Sequence, residues 1–450
     1  MYLTKNYKTI LKYILLFIFF FIFLVFFYHI YFNDTIVNYG FSYAIRMGEI
    51  PYKDFNMVIT PFSSFMYSIG LFIYNNMITI YIEQSILLCL LIYFLEKLVH
   101  KNYILFILGL CIYYPISFSS TIFPGYNFLS FLLLIILLYL LKNNSDDILI
   151  GIILGLIFCT KQTIGIILFI PSIYYLFKNK KEFIKRLMGY LIPIFILFIY
   201  LIITNSLSQF INLCFLGLIN FNNTNKSISI YYLILLIGGV IYLIYRIIKN
   251  KRDYELYYLL LFGVISLPII DFYHVSLFLL GILYLICRDI KIKENIYKYL
   301  IIFILFLFLS SFYIEYLYFN KNIKTYNYRY FSLTVSYPKY NNKILKVSNY
   351  LKKYNNKIYL IRGSEAYFLR IINDEKITYY DLLNRGNFGY NGEEKIVEKI
   401  NNLDSGTIFV TDSSLCKNKS INQFICSTYK VLDKCKLIKT IYNFNIYIKE

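Results

Sequence analysis

The sequence predicts an all-α polytopic membrane domain of about eleven transmembrane helices, followed by a small α/β extracytoplasmic domain. Three observations carry that expectation. Of 450 residues, 59% are hydrophobic and 20% aromatic, and the mean hydropathy is +0.59, above the usual level of a soluble globular chain. Nearly all long apolar runs fall in residues 1–319, whereas 320–450 is polar, rich in Lys and Asn, and holds no run able to cross a bilayer. Lys and Arg are concentrated in alternate gaps between the runs.

The apolar runs lie at 13–32, 77–96, 102–120, 124–141, 148–160, 163–177, 187–204, 229–248, 255–270, 272–287 and 296–316. The first is too long for a signal peptide, lacks a small-residue cleavage site and precedes many further spans, so it reads as a retained helix. An odd number of spans puts the termini on opposite sides. With the N-terminus in the cytoplasm, the inward segments carry 19 Lys and Arg, and the outward segments before residue 320 carry four: Arg46, Lys53, Lys161 and Lys226. Cytoplasmic loops retain cations, so this orientation is the expected one and the C-terminal domain faces outward. The runs at 148–160 and 163–177 are short for a bilayer core of about 30 Å, which places Lys161 in a protein-lined cavity or lets it snorkel to the headgroups.

The outward segment 33–76 has two stretches, Asn38 to Met47 and Pro61 to Tyr74, patterned as helices lying along the interface. In 320–450 the pattern predicts a helix near 341–354, a strand at 357–361, a helix after Gly363 and a helix near 393–402. A strand at 407–411, a helix near 420–430 and a closing strand pair around 436–449 follow. Cys416, Cys426 and Cys435 permit one internal disulfide, and spacing does not choose the pair. The remaining cysteines lie in or beside apolar segments and read as packing residues.

Several classes are excluded. The net charge of +20 follows the topology rather than forming a nucleic-acid face. Neither GxxxxGK[ST] nor GxGxxG occurs, and no internal repeat is visible. His29 and His100 stand apart from other ligand types, so no dedicated zinc site is expected; a divalent ion shared by Asp34, Asp54 and a phosphate is compatible with the charges. In the outward domain 22 Lys and Arg stand against 11 acids, a surplus suited to an anionic glycan or to anionic headgroups.

Chemistry is expected where membrane meets water. Asp34 follows the first span, and Asp54 follows a Gly48-Glu49-Ile50-Pro51-Tyr52 turn able to aim it back toward Asp34. Both read either as catalytic carboxylates or as ordinary interface and loop residues. The outward side has no nucleotide pool, so a transferase there needs a donor delivered by the membrane, such as a polyprenyl-phosphate sugar. Phosphate leaves without an acid catalyst, and one carboxylate acting as general base, Asp34, then suffices. Arg46, Lys53 and Lys161 are candidate partners of lipid phosphate, with Gln162 beside the last of them. Asp271 and His274 share a helical face, as substrate ligands or as a structural pair.

Three stretches then carry a resemblance. Asp34 with Gly48-x-Ile50-Pro51-Tyr52-x-Asp54-Phe55 and Pro61 resembles the first outward loop of the GT-C class of polytopic glycosyltransferases, the protein O-mannosyltransferase and lipid A aminoarabinose transferase-like group. Gly151 to Thr163 (GIILGLIFCTKQT) and Asp271-Phe272-Tyr273-His274 resemble two further recurring stretches of that class. The resemblance implies a GT-C-like membrane domain over 1–319 with Asp34 as catalytic base and Asp54 as the second loop acid. It also implies a polyprenyl-phosphate sugar donor and a glycan, lipid or protein acceptor in the cell envelope. The class often has Lys-Pro-Pro where this chain reads Ile59-Thr60-Pro61, so one loop cation is missing and the donor type stays open.

Competing expectations are a transporter or flippase of lipid-linked saccharides, a polymerase or ligase of such saccharides, and a binding protein that has lost catalysis. A transporter predicts duplicated halves or broken helices, neither of which is visible. A polymerase predicts a large late loop bearing Arg and His, whereas 205–228 has a single lysine.

Overall fold

The structure is a computed structural model describing residues 2–27, 34–117, 125–218, 220, 227–250, 253–267, 269–293, 296–305, 324–327, 332–335, 338–384, 386–390, 392–416 and 423–450, some by backbone alone. In chain order the helices are α1 (Tyr2–Phe27), α2 (Asp34–Arg46), α3 (Phe62–Ile73), α4 (Met77–Val99), α5 (Tyr103–Ser117), α6 (Tyr126–Lys142) and α7 (Asp147–Thr160). They continue with α8 (Gln162–Lys178), α9 (Lys180–Ile203), α10 (Leu207–Ile211), α11 (Ile230–Lys249), α12 (Tyr254–Phe262), α13 (Phe272–Asp289) and α14 (Ile296–Leu305). The C-terminal region adds α15 (Pro338–Leu351), α16 (Gly363–Ile372), α17 (Gly392–Asn401) and α18 (Gln423–Thr428). Strands are β1 (Ser227–Ile228), β2 (Ile269–Ile270), β3 (Lys324–Asn327), β4 (Ser332–Val335), β5 (Lys357–Leu360), β6 (Ile408–Asp412), β7 (Cys435–Ile441) and β8 (Phe444–Lys449).

The described parts of the apolar runs are helical apart from a residue or two at some ends, with one larger departure: in the run at 255–270 the helix stops at Phe262, Gly263–Ser266 is a 3-10 turn, and Ile269–Ile270 is a strand paired with Ser227–Ile228. Four segments, Tyr7–Leu24, Met77–Leu110, Lys180–Ile203 and Ile230–Lys249, are long and apolar enough to cross a membrane, and seven shorter apolar helices accompany them among the described residues. The rest of the last run, beyond Leu305, lies outside the described residues.

The chain divides into two compact units, and the division is not a simple cut in sequence. The first comprises Met1–His29, Met77–Leu197 and Ser227–Lys321; the second gathers Ile30–Asn76, Phe198–Lys226 and Asn322–Glu450.

In the first unit α1 packs on α4, α4 on α6, α6 on α7 and α7 on α8, and α11 packs on α12 and α13. The Gly151-to-Gly155 spacing acquires a packing reason. A Cβ on Gly151 would meet the Arg186 carbonyl at 2.1 Å, and one on Gly189 would meet the Ile148 carbonyl at 2.1 Å, so α7 and α9 touch backbone to backbone. Gly155 packs in the same way against Tyr190 and Pro193. Three arginines in the segments expected to face inward are paired with acids: Arg186 with Asp147, Arg246 with Asp289, and Arg288 with Asp253, Glu255 and Asp289.

In the second unit the sheet order is β5-β6-β8-β7, with β5 and β6 parallel and the other two pairs antiparallel. All residues of β5 and β6 are buried, as strands covered on both faces require, whereas β7 is a mostly exposed edge. Ile358, Leu360 and Phe409 of the sheet pack with Ile396 and Ile400 of α17, Phe424 and Val431. The β3–β4 hairpin was not legible in the sequence, and the other elements of this region fall within a few residues of their expected places. Cys416 and Cys426 form a disulfide, and Cys435 is a free thiol.

Candidate active site

The loop after α2 is built by two left-handed residues. Gly48, at φ +84°, ends α2: its N–H bonds to the Ile45 carbonyl, and the Glu49 N–H to the Ala44 carbonyl. Tyr52 also has a positive φ, 70°, a costly conformation for a residue with a side chain. It is held there from three directions. Its N–H donates to the Phe55 carbonyl, its hydroxyl donates to the Ile59 carbonyl at 2.7 Å, and its buried ring stands edge-on to Phe210.

Within this turn Asp54 Oδ2 accepts the Ile50 N–H at 2.7 Å. Asp54 is therefore a turn-closing residue, half-buried, with Tyr200 and Glu49 within electrostatic reach. Asp34 begins α2, and its side chain lies outside the described residues. Arg46 is engaged locally: its Nε donates to the Leu71 carbonyl at 3.3 Å, joining the end of α2 to the end of α3. Lys53 is exposed.

A residue the sequence reading passed over sits between Gly48 and Ile50. Glu49 is buried, and its Oε2 accepts the Ile377 N–H at 3.1 Å. Burial pushes its carboxyl up to about 8; Lys376 and the Ile377 N–H act against the shift, and Asp381 and Asp54 reinforce it. Between the ordinary value of 4.5 and about 8, the folded chain binds more protons here than the unfolded chain, so this contribution to stability is full below 4.5 and is lost as pH rises through about 8. Glu49→Gln keeps an acceptor for Ile377 and removes the titration. Thermal unfolding followed by circular dichroism should therefore lose less stability over that pH window in the variant than in the parent; parallel pH curves would count against the assignment.

The first unit holds a second cluster. Lys161 caps α7, and its Nζ donates to Asn127 Oδ1 at 3.0 Å and lies 5.3 Å from the Tyr126 ring centre. Asp271 is close enough to act on the Lys161 charge. The same carboxylate caps α13, accepting the His274 N–H at 3.0 Å, and its Oδ1 lies 2.8 Å from His274 Nδ1. The histidine ring is thus oriented by a carboxylate, with Nε2 as its second functional nitrogen. Gln162 is buried at the start of α8.

The structure therefore groups Lys161, Asp271 and His274 in the first unit and Arg46, Lys53, Asp54 and Glu49 in the loop of the second. Among the described residues no three or more His, Cys, Asp or Glu side chains gather as a metal site.

No family model matches the sequence, and no curated protein matches it. Among solved structures, the crystal structure of ArnT from Cupriavidus metallidurans bound to undecaprenyl phosphate aligns with 98% of this chain and 98% of its own, at a TM-score of 0.57 and 10% identity. ArnT is an aminoarabinose transferase of the GT-C class, the group whose loop motifs this chain resembles. At that identity the likeness is one of fold, and it extends over nearly the whole chain: this protein has the fold of ArnT.

Proposed function

We propose that the protein is an integral membrane glycosyltransferase that moves a sugar from a polyprenyl-phosphate carrier to a cell-envelope acceptor on the outer face of the membrane. The observation that carries this reading is the likeness in fold to ArnT bound to undecaprenyl phosphate across 98% of both chains. The eleven apolar runs are read as spans, with the N-terminus in the cytoplasm and residues 320–450 outside. The Cys416–Cys426 disulfide supports that side, since such bonds persist in oxidising compartments.

In the proposed reaction the Asp34 carboxylate takes the proton of an acceptor hydroxyl. The freed oxygen attacks the anomeric carbon, the bond from that carbon to the carrier phosphate breaks, and the polyprenyl phosphate leaves with inversion at the sugar. Lys161, supported by Asn127 and Asp271, is assigned to the lipid phosphate as a point charge, and His274 to a polar group of the donor. Asp54 is assigned to fixing the Ile50–Asp54 turn that follows α2.

The test is release of carrier. Purified protein in lipid nanodiscs is incubated with undecaprenyl-phosphate aminoarabinose, mannose and glucose, with an envelope extract as acceptor, and free undecaprenyl phosphate is measured. Carrier release from one donor that depends on both protein and acceptor is the expected result. In sealed proteoliposomes, saccharide moved across the bilayer with the carrier bond intact would instead assign the protein to transport.

A further inference from the structure

The second unit holds a cavity of about 440 Å³, within the range of small-ligand sites, roughly 300–1,000 Å³. Three stretches far apart in sequence line it: the Tyr52–Lys53 turn, the 205–212 segment, and residues 379–399. Its chemistry is one-sided. Lys53, Lys395 and Lys399 contribute three ammonium groups, and among the described residues no Asp or Glu lines the wall. Lys395 and Lys399 are one helical turn apart on α17 and so share a face; Glu394 and Glu398 of the same helix are not among the lining residues.

The remaining wall is aromatic and amide. Tyr379, Tyr380 and Tyr390 present rings with polar tips, and Asn205 and Gln209 present exposed carboxamides. Among the described residues Ile396 is the one aliphatic side chain of this wall, which does not suit an acyl chain. Rings that cover C–H faces, amides that bond hydroxyls and lysines that meet anions match a sugar bearing acidic groups.

The wall is also preformed. Asn212 Oδ1 accepts the Tyr390 N–H at 3.0 Å, and Gly389, at φ +77°, leaves no room for a Cβ against the Asn212 side chain. Asn56 donates to the Leu382 and Asn387 carbonyls at 3.2 Å each, and Asn220 to the Gly389 carbonyl. The lysine-bearing helix is fixed from below by Ile396 and Ile400 in the core.

We infer that this cavity is a binding site for an acidic saccharide, one carrying carboxylate, phosphate or sulfate groups on adjoining sugar units. A role in presenting the acceptor rests on the transferase reading; binding itself does not, and it is measured without any donor. Full-length protein in nanodiscs of neutral lipid is titrated calorimetrically with trigalacturonate and with its methyl ester, which has the same rings without the charges. Trigalacturonate should bind at least about tenfold more tightly than the ester, and Lys395→Gln with Lys399→Gln should weaken it by about tenfold. Tyr390→Ala should weaken both ligands. As a charge-matched control, Lys434→Gln with Lys436→Gln removes two exposed lysines outside the lining and should leave binding unchanged. Equal affinity for acid and ester, no binding of the acid, or equal losses in the two double variants would each overturn the inference. A catalytically inactive protein that still discriminates acid from ester would retain it.

Discussion

Asp34→Asn is expected to lower sugar transfer by about 10²–10⁴-fold, the contribution typical of a general base, while the protein stays folded and still binds the carrier. Asparagine keeps the shape and the acceptor oxygen of aspartate and removes the basic site, so a loss confined to turnover isolates proton transfer from positioning. Asp54→Asn is the natural comparison. The Asp54 carboxylate accepts the Ile50 N–H inside its own turn, and an asparagine Oδ1 preserves that bond, so the turn survives the change. If Asp34 is the base and Asp54 holds the loop, the first substitution slows single-turnover release of undecaprenyl phosphate by that factor and the second slows it far less. Undiminished release with Asp34→Asn would remove the proposed base.

The helices and most of the C-terminal strands were legible because each is written locally: apolar runs, most of them of bilayer length, in the first 319 residues, and short β-rich segments bounded by turn residues after them. The composition of the second unit was not. Asn56, Asn212 and Asn220 bind the 382–390 loop across at least 169 residues of chain, and nothing in the immediate sequence of an asparagine announces so distant a partner. Glu49 was hidden for a related reason. It is an acid in a turn bounded by a glycine and a proline, a pattern that normally means water, and it is burial beneath the 377 backbone that changes its chemistry. Asp271 and His274, three residues apart, did announce their contact, because on one helical turn spacing alone brings them together. The Gly151-to-Gly155 spacing was visible as a motif, whereas its packing against Arg186 and Tyr190 required the position of α9.

Arg370→Ala is expected to destabilise the second unit by about 3–5 kcal/mol, the usual consequence of removing one member of a buried ion network. In the sequence Arg370 is one of the surplus cations of 320–450, read as suited to an anionic glycan or anionic headgroups, yet it is 5% exposed. Its Nε and Nη2 donate to both oxygens of the fully buried Asp381, at 2.9 and 3.2 Å, and its Nη1 donates to Glu375 at 3.1 Å. A further bond from Nη2 to the Lys357 carbonyl ties the start of β5 to α16, and the guanidinium lies 4.6 Å from the Tyr359 ring centre. Lys357 pairs with Glu375, so the network contains two cations and two carboxylates in a site with little water. Alanine leaves Asp381 buried with its charge and only the Thr378 N–H as a remaining donor among these contacts. The cost arises mainly from that stranded charge rather than from the lost packing. Arg370→Ala combined with Asp381→Asn should consequently lose less than the sum of the single changes, a coupling readable from the urea midpoint for pulse proteolysis of the C-terminal region. A midpoint for Arg370→Ala equal to that of the parent, or strict additivity of the pair, would show that water reaches the site and that the network contributes little to the stability of the unit.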